Sequence, residues 1–193
     1  DEVFLIADSK CPRCAGKNPA ELFAGEVKAL RDHLAEKKRT LWMWGDRFID
    51  GKATKIGEWE ASTNGTFPAI DLVPKDIVIC DWHYEFSPPT AGFFALKGFD
   101  VVLSPWRKQD VALDHLRQVI ALREDTRRVL ASRARGVLHT TRTDPTQFIR
   151  AYRNEMLEGR AAARSMASAR ESARTFKTLF AAARETELSD QPQ

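Results

Sequence analysis

The chain has 193 residues, of which 43% are hydrophobic and 30% are charged, and this balance suits one globular domain with a sizeable core. Its formal net charge of +3 is mild, and the basic residues are interspersed with acids, so the composition indicates no nucleic-acid partner. No apolar run approaches the roughly 18 residues that a membrane span needs. The three cysteines are too few for a disulfide framework.

Five short segments have the apolar or β-branched composition of buried strands. The first four of them run into aromatic or acidic side chains at or just beyond their ends. The predicted strands are Glu2–Ala7, Arg39–Trp44, Asp76–Trp82, Asp100–Leu103 and Gly136–Thr141.

Segments with helical spacing of their apolar residues separate most of these strands. Asn18 and Asp144 are predicted to be N-caps because each precedes a proline at the first helical position. Gly98 is placed to end a short helix as its C′ residue. The predicted helices are about Pro19–Lys38, Thr90–Lys97, Gln109–Ser132 and a helix from Pro145 onward.

Alternation of strands with helices predicts an α/β fold with a parallel sheet. In β/α barrels the ligand lies at the carboxyl ends of the strands, so the aromatic and acidic residues at these ends are predicted to form one pocket. Tryptophan and tyrosine rings stack on sugar faces, and carboxylates supply acid chemistry. This pattern is typical of a carbohydrate site.

Two tryptophans of the second strand share one face, because side chains two residues apart point the same way. Trp42 lies deeper in the strand and is expected in the barrel core. Trp44 lies nearer the strand end and is expected in the pocket. At the start of the chain, Asp1 and Glu2 form an adjacent acid pair. One carboxylate could orient the substrate while the other donates a proton, or both could be solvated acids.

Several segments together resemble the C-terminal half of a family 20 glycoside hydrolase barrel, the β-N-acetylhexosaminidase type. In that family an Asp-Glu pair closes the fourth strand, and the resemblance covers roughly residues 1–155. The resembling segments are Asp1–Ile6, Leu41–Arg47, Pro74–Tyr84 and Lys97–Trp106.

The resemblance implies substrate-assisted hydrolysis, in which the substrate's own 2-acetamido oxygen attacks the anomeric carbon. It implies that Glu2 is the general acid/base, that Asp1 holds the acetamide N–H and that Tyr84 donates to the acetamide carbonyl. It also implies that Trp44, Trp82 and Trp106 wall the pocket and that Asp46 or Asp81 accepts bonds from sugar hydroxyls. Apart from the resemblance, His83 lies near a strand end and could contact substrate.

One position departs from the family pattern. The last strand of the family barrel usually ends in a tryptophan, whereas Thr141-Arg142-Thr143 stands at the corresponding point here. Arg142 cannot supply the same apolar wall, although its guanidinium can stack or bind a negatively charged substituent. An alternative function is therefore a non-catalytic or altered-specificity glycan-binding relative.

The resemblance also implies a domain organisation. Residues 1–157 are expected to be the C-terminal half of a (β/α)8 barrel, about its last four to five β/α units, whose N-terminal half lies upstream of this sequence. Residues 158–193 are expected to be an Ala- and Arg-rich helical tail with a disordered end from Ser189. The expected partner is an N-acetylhexosamine-containing glycan, with no cofactor and no nucleic acid.

Cys11 and Cys14 form a Cys-x-x-Cys pair that is interpreted as structural thiols or a local disulfide. A zinc site needs four ligands, and the sequence contains no second pair. His83 and His139 follow or occupy predicted strands, but two isolated histidines do not make a metal site. No metal ligands are therefore predicted.

Overall fold

The computed structural model describes residues 2–125, 128–154 and 167–189, with the side chains of all of these except residue 2 and residues 187–189. Its four strands form one parallel sheet in the order β1-β2-β3-β4, so each strand neighbours the next one in the chain. The α/β fold with a parallel sheet is thus confirmed. The strands are β1 (Trp42–Trp44), β2 (Val78–Asp81), β3 (Asp100–Leu103) and β4 (Ala134–Val137).

Helices connect and follow the strands. The α-helices are α1 (Pro19–Glu36), α2 (Gly51–Thr54), α3 (Thr90–Leu96), α4 (Gln109–Arg123), α5 (Pro145–Tyr152) and α6 (Ala167–Ser189). Short 3₁₀ helices cover Glu2–Leu5, Asp46–Phe48, Phe67–Asp71 and Ala131–Arg133. No helix among the described residues is both long enough and apolar enough to cross a membrane.

The predicted helix ends are confirmed where a capping signal stands in the sequence. Asn18 Oδ1 accepts the amide of Ala20 at 2.9 Å, and Asp144 Oδ1 accepts that of Thr146 at 2.9 Å. Gly98 follows α3 with φ +89°, a conformation that favours glycine. These bonds satisfy backbone groups that a helix end otherwise leaves unpaired.

The predicted first strand is wrong, because the segment begins with the 3₁₀ helix Glu2–Leu5. The amide of Ile6 bonds to the carbonyl of Val3 at 3.1 Å. The side-chain amide of Asn64 donates to the carbonyls of Val3 at 2.7 Å and Phe4 at 3.3 Å. An apolar run becomes a strand only when a neighbouring strand pairs with it, and here local and side-chain bonds take up these carbonyls.

Two boundaries near α4 and β4 also differ from the prediction. The helix α4 ends at Arg123, whose guanidinium donates to the carbonyls of Ala134 at 3.0 Å and Arg135 at 2.9 Å. The strand β4 begins at Ala134 rather than at Gly136. Beyond its end the amide of Leu138 still bonds to the Leu103 carbonyl at 2.8 Å, so the predicted segment does lie alongside β3.

The chain forms two compact units, of which unit 1 comprises residues 1–82 and 92–102 and unit 2 comprises residues 83–91 and 103–193. Stacked phenylalanines form part of the core of unit 1, where Phe48 lies 5.2 Å from Phe23 and 6.4 Å from Phe99 between ring centroids. In unit 2 the buried Leu179 of α6 packs against Ala112 and Leu116 of α4. The C-terminal helix is therefore part of a hydrophobic core.

Candidate functional site

Three polar or aromatic residues of unit 2 occupy the same position relative to successive strands. Tyr84, Trp106 and Thr140 are each the third residue after the end of β2, β3 and β4, respectively. Because parallel strands end at the same edge of a sheet, this spacing gives each side chain an equivalent place. The three side chains lie together with Arg142, and these four residues are called the Tyr84 cluster below.

Aromatic packing and hydrogen bonds hold the Tyr84 cluster together. The rings of Tyr84 and Trp106 pack edge to face with centroids 5.3 Å apart. Thr140 Oγ1 lies 3.2 Å from the Tyr84 hydroxyl and also donates to the Pro105 carbonyl at 2.9 Å. Arg142 Nε donates to the Tyr84 hydroxyl at 3.5 Å, and the guanidinium lies 5.6 Å from the ring centroid. Tyr84 is 7% exposed, so this cluster fixes its phenol in one orientation.

Charged side chains flank the indole of Trp106. The guanidinium of Arg107 lies over the Trp106 ring, 4.6 Å from its centroid. Glu85 accepts hydrogen bonds from Lys108 at 2.7 Å and Arg107 at 3.4 Å, and Lys108 is the main reason that the pKa of Glu85 is lowered. Trp106 Nε1 is buried and makes no hydrogen bond within the part of the chain that the structure describes. The Arg107 guanidinium therefore covers one face of this indole.

His139 supports the Tyr84 cluster from the protein interior. Its Nε2 lies 3.0 Å from the carbonyl of Trp106, and its ring packs edge to face on Phe176 at 5.6 Å. Burial lowers the pKa of His139 to about 4. The imidazole is therefore neutral at neutral pH, and it contacts the backbone of Trp106 and the ring of Phe176.

His83, a predicted substrate contact, lies in the interior of unit 2. Its side chain is 1% exposed, and its Nε2 lies 3.1 Å from the hydroxyl of Thr90 at the start of α3. Its ring centroid is 6.3 Å from that of Phe86. A ligand could reach His83 only after these neighbours moved.

In unit 1 the structure brings together two other predicted residues, Asp46 and Trp82. Trp82 Nε1 donates to Asp46 Oδ1 at 3.0 Å, and Arg47 Nε donates to Asp46 Oδ2. All three side chains are less than 10% exposed. The carboxylate of Asp46 therefore lies between an indole N–H and a guanidinium, and these two donors fix its orientation.

Arg47 is a residue whose importance the sequence reasoning missed. Its Nη2 donates to the carbonyls of Glu58 and Trp59, both at 2.8 Å, and its guanidinium lies 4.7 Å from the centroid of the Phe4 ring. Its own carbonyl accepts from Thr66 Oγ1 at 2.9 Å. Arg47 thus fixes the loop after β1. Its position as the third residue after the predicted second strand is the signal that could have found it.

The tryptophans of β1 do share one face, but that face is open. Trp42 is 51% exposed and Trp44 is 46% exposed. The prediction that Trp42 lies in the core is wrong, because about half of its side chain is exposed. Asp81, at the end of β2, is 2% exposed and so lies in the interior.

The predicted acid pair is only partly within the described residues. Asp1 lies outside them. Glu2 begins the first 3₁₀ helix, and its side chain lies outside the described set. Among the described residues no group of three or more His, Cys, Asp or Glu side chains could hold a metal ion.

No protein-family model matches the chain, and no curated protein matches it either. Two groups of residues therefore bear on function: the Tyr84 cluster in unit 2, and Asp46, Arg47 and Trp82 in unit 1.

Proposed function

We propose that this chain is part of a glycoside hydrolase of the family 20 type, which removes terminal N-acetylhexosamine from glycans by substrate-assisted, retaining hydrolysis. The strand order β1-β2-β3-β4 supports a segment of a (β/α)8 barrel, in which every strand neighbours the next in the chain. The resembling motifs of the sequence supply the proposed family.

The Tyr84 cluster is the observation that carries this proposal. Tyr84 and Trp106 are implied by the family resemblance, and Arg142 stands where the family pattern departs; the three span more than fifty residues of sequence. In unit 2 the Tyr84 ring contacts both the Trp106 ring and the Arg142 guanidinium. Aromatic faces combined with hydrogen-bonding groups are what recognition of a sugar requires.

In the proposed reaction the acetamide oxygen of the substrate attacks the anomeric carbon while the bond to the leaving oxygen breaks. Glu2 protonates that oxygen, and Asp1 accepts the acetamide N–H; both roles come from the sequence resemblance. Tyr84 donates its hydroxyl proton to the acetamide carbonyl oxygen and so stabilises the oxazolinium intermediate. Water then attacks the anomeric carbon, the bond from that carbon to the acetamide oxygen breaks and regenerates the acetamide, and Glu2 is the base that takes the proton of the water.

The other proposed sugar contacts are aromatic or acidic. Trp44, with its half-exposed ring, and Trp106 are proposed to stack on sugar faces. Asp46 is proposed to accept hydrogen bonds from sugar hydroxyls. Its carboxylate is oriented by hydrogen bonds from Trp82 and Arg47. Asp81 and His83 are more deeply buried, and we propose that they support the strand ends that carry these contacts.

A glycan-binding protein without hydrolytic activity is the second candidate, and Arg142 favours it. Its guanidinium lies over the Tyr84 ring, at a position where the family pattern has a tryptophan. A cation on this ring leaves less aromatic face for a sugar and changes which sugar substituents are accepted.

Release of nitrophenol from a nitrophenyl N-acetylglucosaminide by the full-length gene product tests the proposal. We expect turnover that falls about 10²-fold or more in Glu2→Gln and in Tyr84→Phe. Tyr152→Phe is the matched control, because the second tyrosine of the chain stacks on Phe148 in α5 and should leave turnover unchanged.

Two results separate the candidates. Undiminished turnover in Glu2→Gln would exclude the proposed mechanism. Absence of turnover, together with glycan binding that N-acetylglucosamine competes and Tyr84→Phe weakens, would establish the binding protein instead.

A further inference from the structure

Cys11 and Cys14 lie in one tight turn that brings their sulfurs together. The amide N–H of Cys14 donates to Cys11 Sγ at 3.3 Å. The amide of Ala15 bonds to the carbonyl of Cys11 at 3.0 Å, and that of Lys17 bonds to the carbonyl of Cys14 at 3.1 Å. Both thiols are free and half-buried.

The two sulfurs have different surroundings. Cys11 Sγ receives hydrogen bonds from the Cys14 thiol and from backbone amides, and these bonds lower the pKa of Cys11. The same thiol contact raises the pKa of Cys14, because the proton of Cys14 is held in that bond. Donors that converge on one sulfur stabilise its thiolate, which is the nucleophilic form.

We propose that Cys11 and Cys14 are a redox-active dithiol that reacts with small-molecule disulfides, with Cys11 as the sulfur that reacts first and Cys14 as the sulfur that closes the ring. The bond from the Cys14 amide to Cys11 Sγ and the tight turn that contains both cysteines carry this assignment. It does not depend on the proposed glycosidase activity.

The reaction takes place in two exchange steps with a disulfide such as oxidised glutathione. The Cys11 thiolate attacks one sulfur of the oxidant, so the disulfide bond of the oxidant breaks, one glutathione leaves as thiolate and a mixed disulfide forms on Cys11. Cys14 then attacks Cys11 Sγ, closes the Cys11–Cys14 disulfide and releases the second glutathione. The two protons of the protein thiols end on the two glutathiones, which are thereby reduced.

Zinc fits this turn less well than a disulfide does. A structural zinc site takes four ligands, and among the described residues no group of three or more His, Cys, Asp or Glu could hold a metal ion. The remaining cysteine, Cys80, is 5% exposed in β2, and burial raises its pKa to about 11. Cys80 is therefore expected to be inert and provides an internal control.

Incubation of the whole chain with oxidised glutathione, followed by mass spectrometry of intact protein and peptides, tests the assignment. In the wild-type chain and in Cys80→Ser we expect an internal Cys11–Cys14 disulfide with no glutathione retained. In Cys14→Ser we expect a glutathione adduct that accumulates on Cys11. In Cys11→Ser we expect Cys14 to form the adduct about tenfold more slowly than Cys11 does in Cys14→Ser, or not at all.

A second measurement uses the unmodified sequence and so does not depend on whether the variants fold. Limited alkylation of the reduced wild-type chain by iodoacetamide should label Cys11 about tenfold faster than Cys14, and Cys80 more slowly still. Equal labelling of Cys11 and Cys14 would overturn the assignment of roles. Stable glutathione adducts on the wild-type chain without an internal disulfide would overturn the dithiol itself.

Discussion

Trp82 Nε1 donates a hydrogen bond to Asp46 Oδ1 at 3.0 Å, and this bond links the residue that follows β2 to the segment that follows β1. Trp82 is 8% exposed and Asp46 is 6% exposed. A buried carboxylate is costly unless its oxygens are bonded, so the two residues depend on each other. The bond therefore holds the first residues of the loop after β1 in place.

Trp82→Phe should destabilise the chain by about 2 kcal/mol, because it leaves one buried carboxylate oxygen without its donor while keeping an aromatic ring in place. Urea denaturation measures this change. Trp59→Phe is the matched control, because Trp59 is 63% exposed and makes only an edge contact with Phe4, so its substitution should change stability little. Equal effects of the two substitutions would show that the indole N–H contributes nothing.

Arg47→Met should cost more, about 3 to 5 kcal/mol, because it leaves Asp46 as a buried charge that has lost its cation. It also removes the donor to the carbonyls of Glu58 and Trp59. The loop should then be cleaved by protease at lower enzyme concentration. Arg117→Met is the control, because Arg117 pairs with Asp114 on the exposed side of α4. Its loss should leave both readouts unchanged.

Gly45→Ala should destabilise the chain by about 1 to 3 kcal/mol through overpacking. A Cβ at this position would lie 2.6 Å from Cγ2 of Ile79 and 2.8 Å from Cζ of Phe94. Gly25→Ala in α1 is the opposite control, since its Cβ meets no atom within 4 Å and alanine favours the helix. The urea midpoint should therefore fall for the first variant and rise for the second. A midpoint that rises in both would mean that the space beside Gly45 can open.

The helices could be predicted from the sequence because their signals are local. A capping residue marks the start or end of a helix without depending on the rest of the chain. Examples are Asn18 before Pro19, Asp144 before Pro145, and Gly98. The long helix over 109–132 was predicted too long, because its end depends on Arg123 reaching the backbone of the following strand. The spacing of apolar residues in the sequence does not predict contacts of this kind.

Strands and sites were predictable only in part, because they depend on distant partners. The apolar run after Glu2 has a strand composition, yet it forms a 3₁₀ helix. The side-chain amide of Asn64 binds two of its carbonyls. Trp42 was expected in the core, but strand parity does not say which face of a sheet is covered. Tyr84 and Trp106 were selected by their places near strand ends and by the family resemblance, whereas Thr140 was missed because a threonine beside a strand end has no distinctive chemistry until its partners are known.

His139 gives the chain a pH dependence whose sign follows from its burial. Its pKa is about 4 in the folded protein and 6.5 without the protein environment. Below pH 6.5 the unfolded chain takes up the proton first, so stability falls with pH until the folded state is also protonated near pH 4. The full loss is about 3 kcal/mol.

His139→Gln should remove this slope, because glutamine does not titrate and can still donate to the Trp106 carbonyl that His139 now contacts. Urea denaturation at several pH values between 7 and 4 measures the difference between variant and wild type. Carboxylates such as Glu85, whose pKa is lowered by Lys108, lose their contribution only at lower pH and do so in both proteins. The exposed His33 of α1 is the control, because His33→Gln should keep the wild-type slope. If His139→Gln and wild type lost stability in parallel from pH 6.5 to 4, the imidazole would have to be accessible to water in the folded state, and Trp106 would lack the neutral packing that holds it against Tyr84.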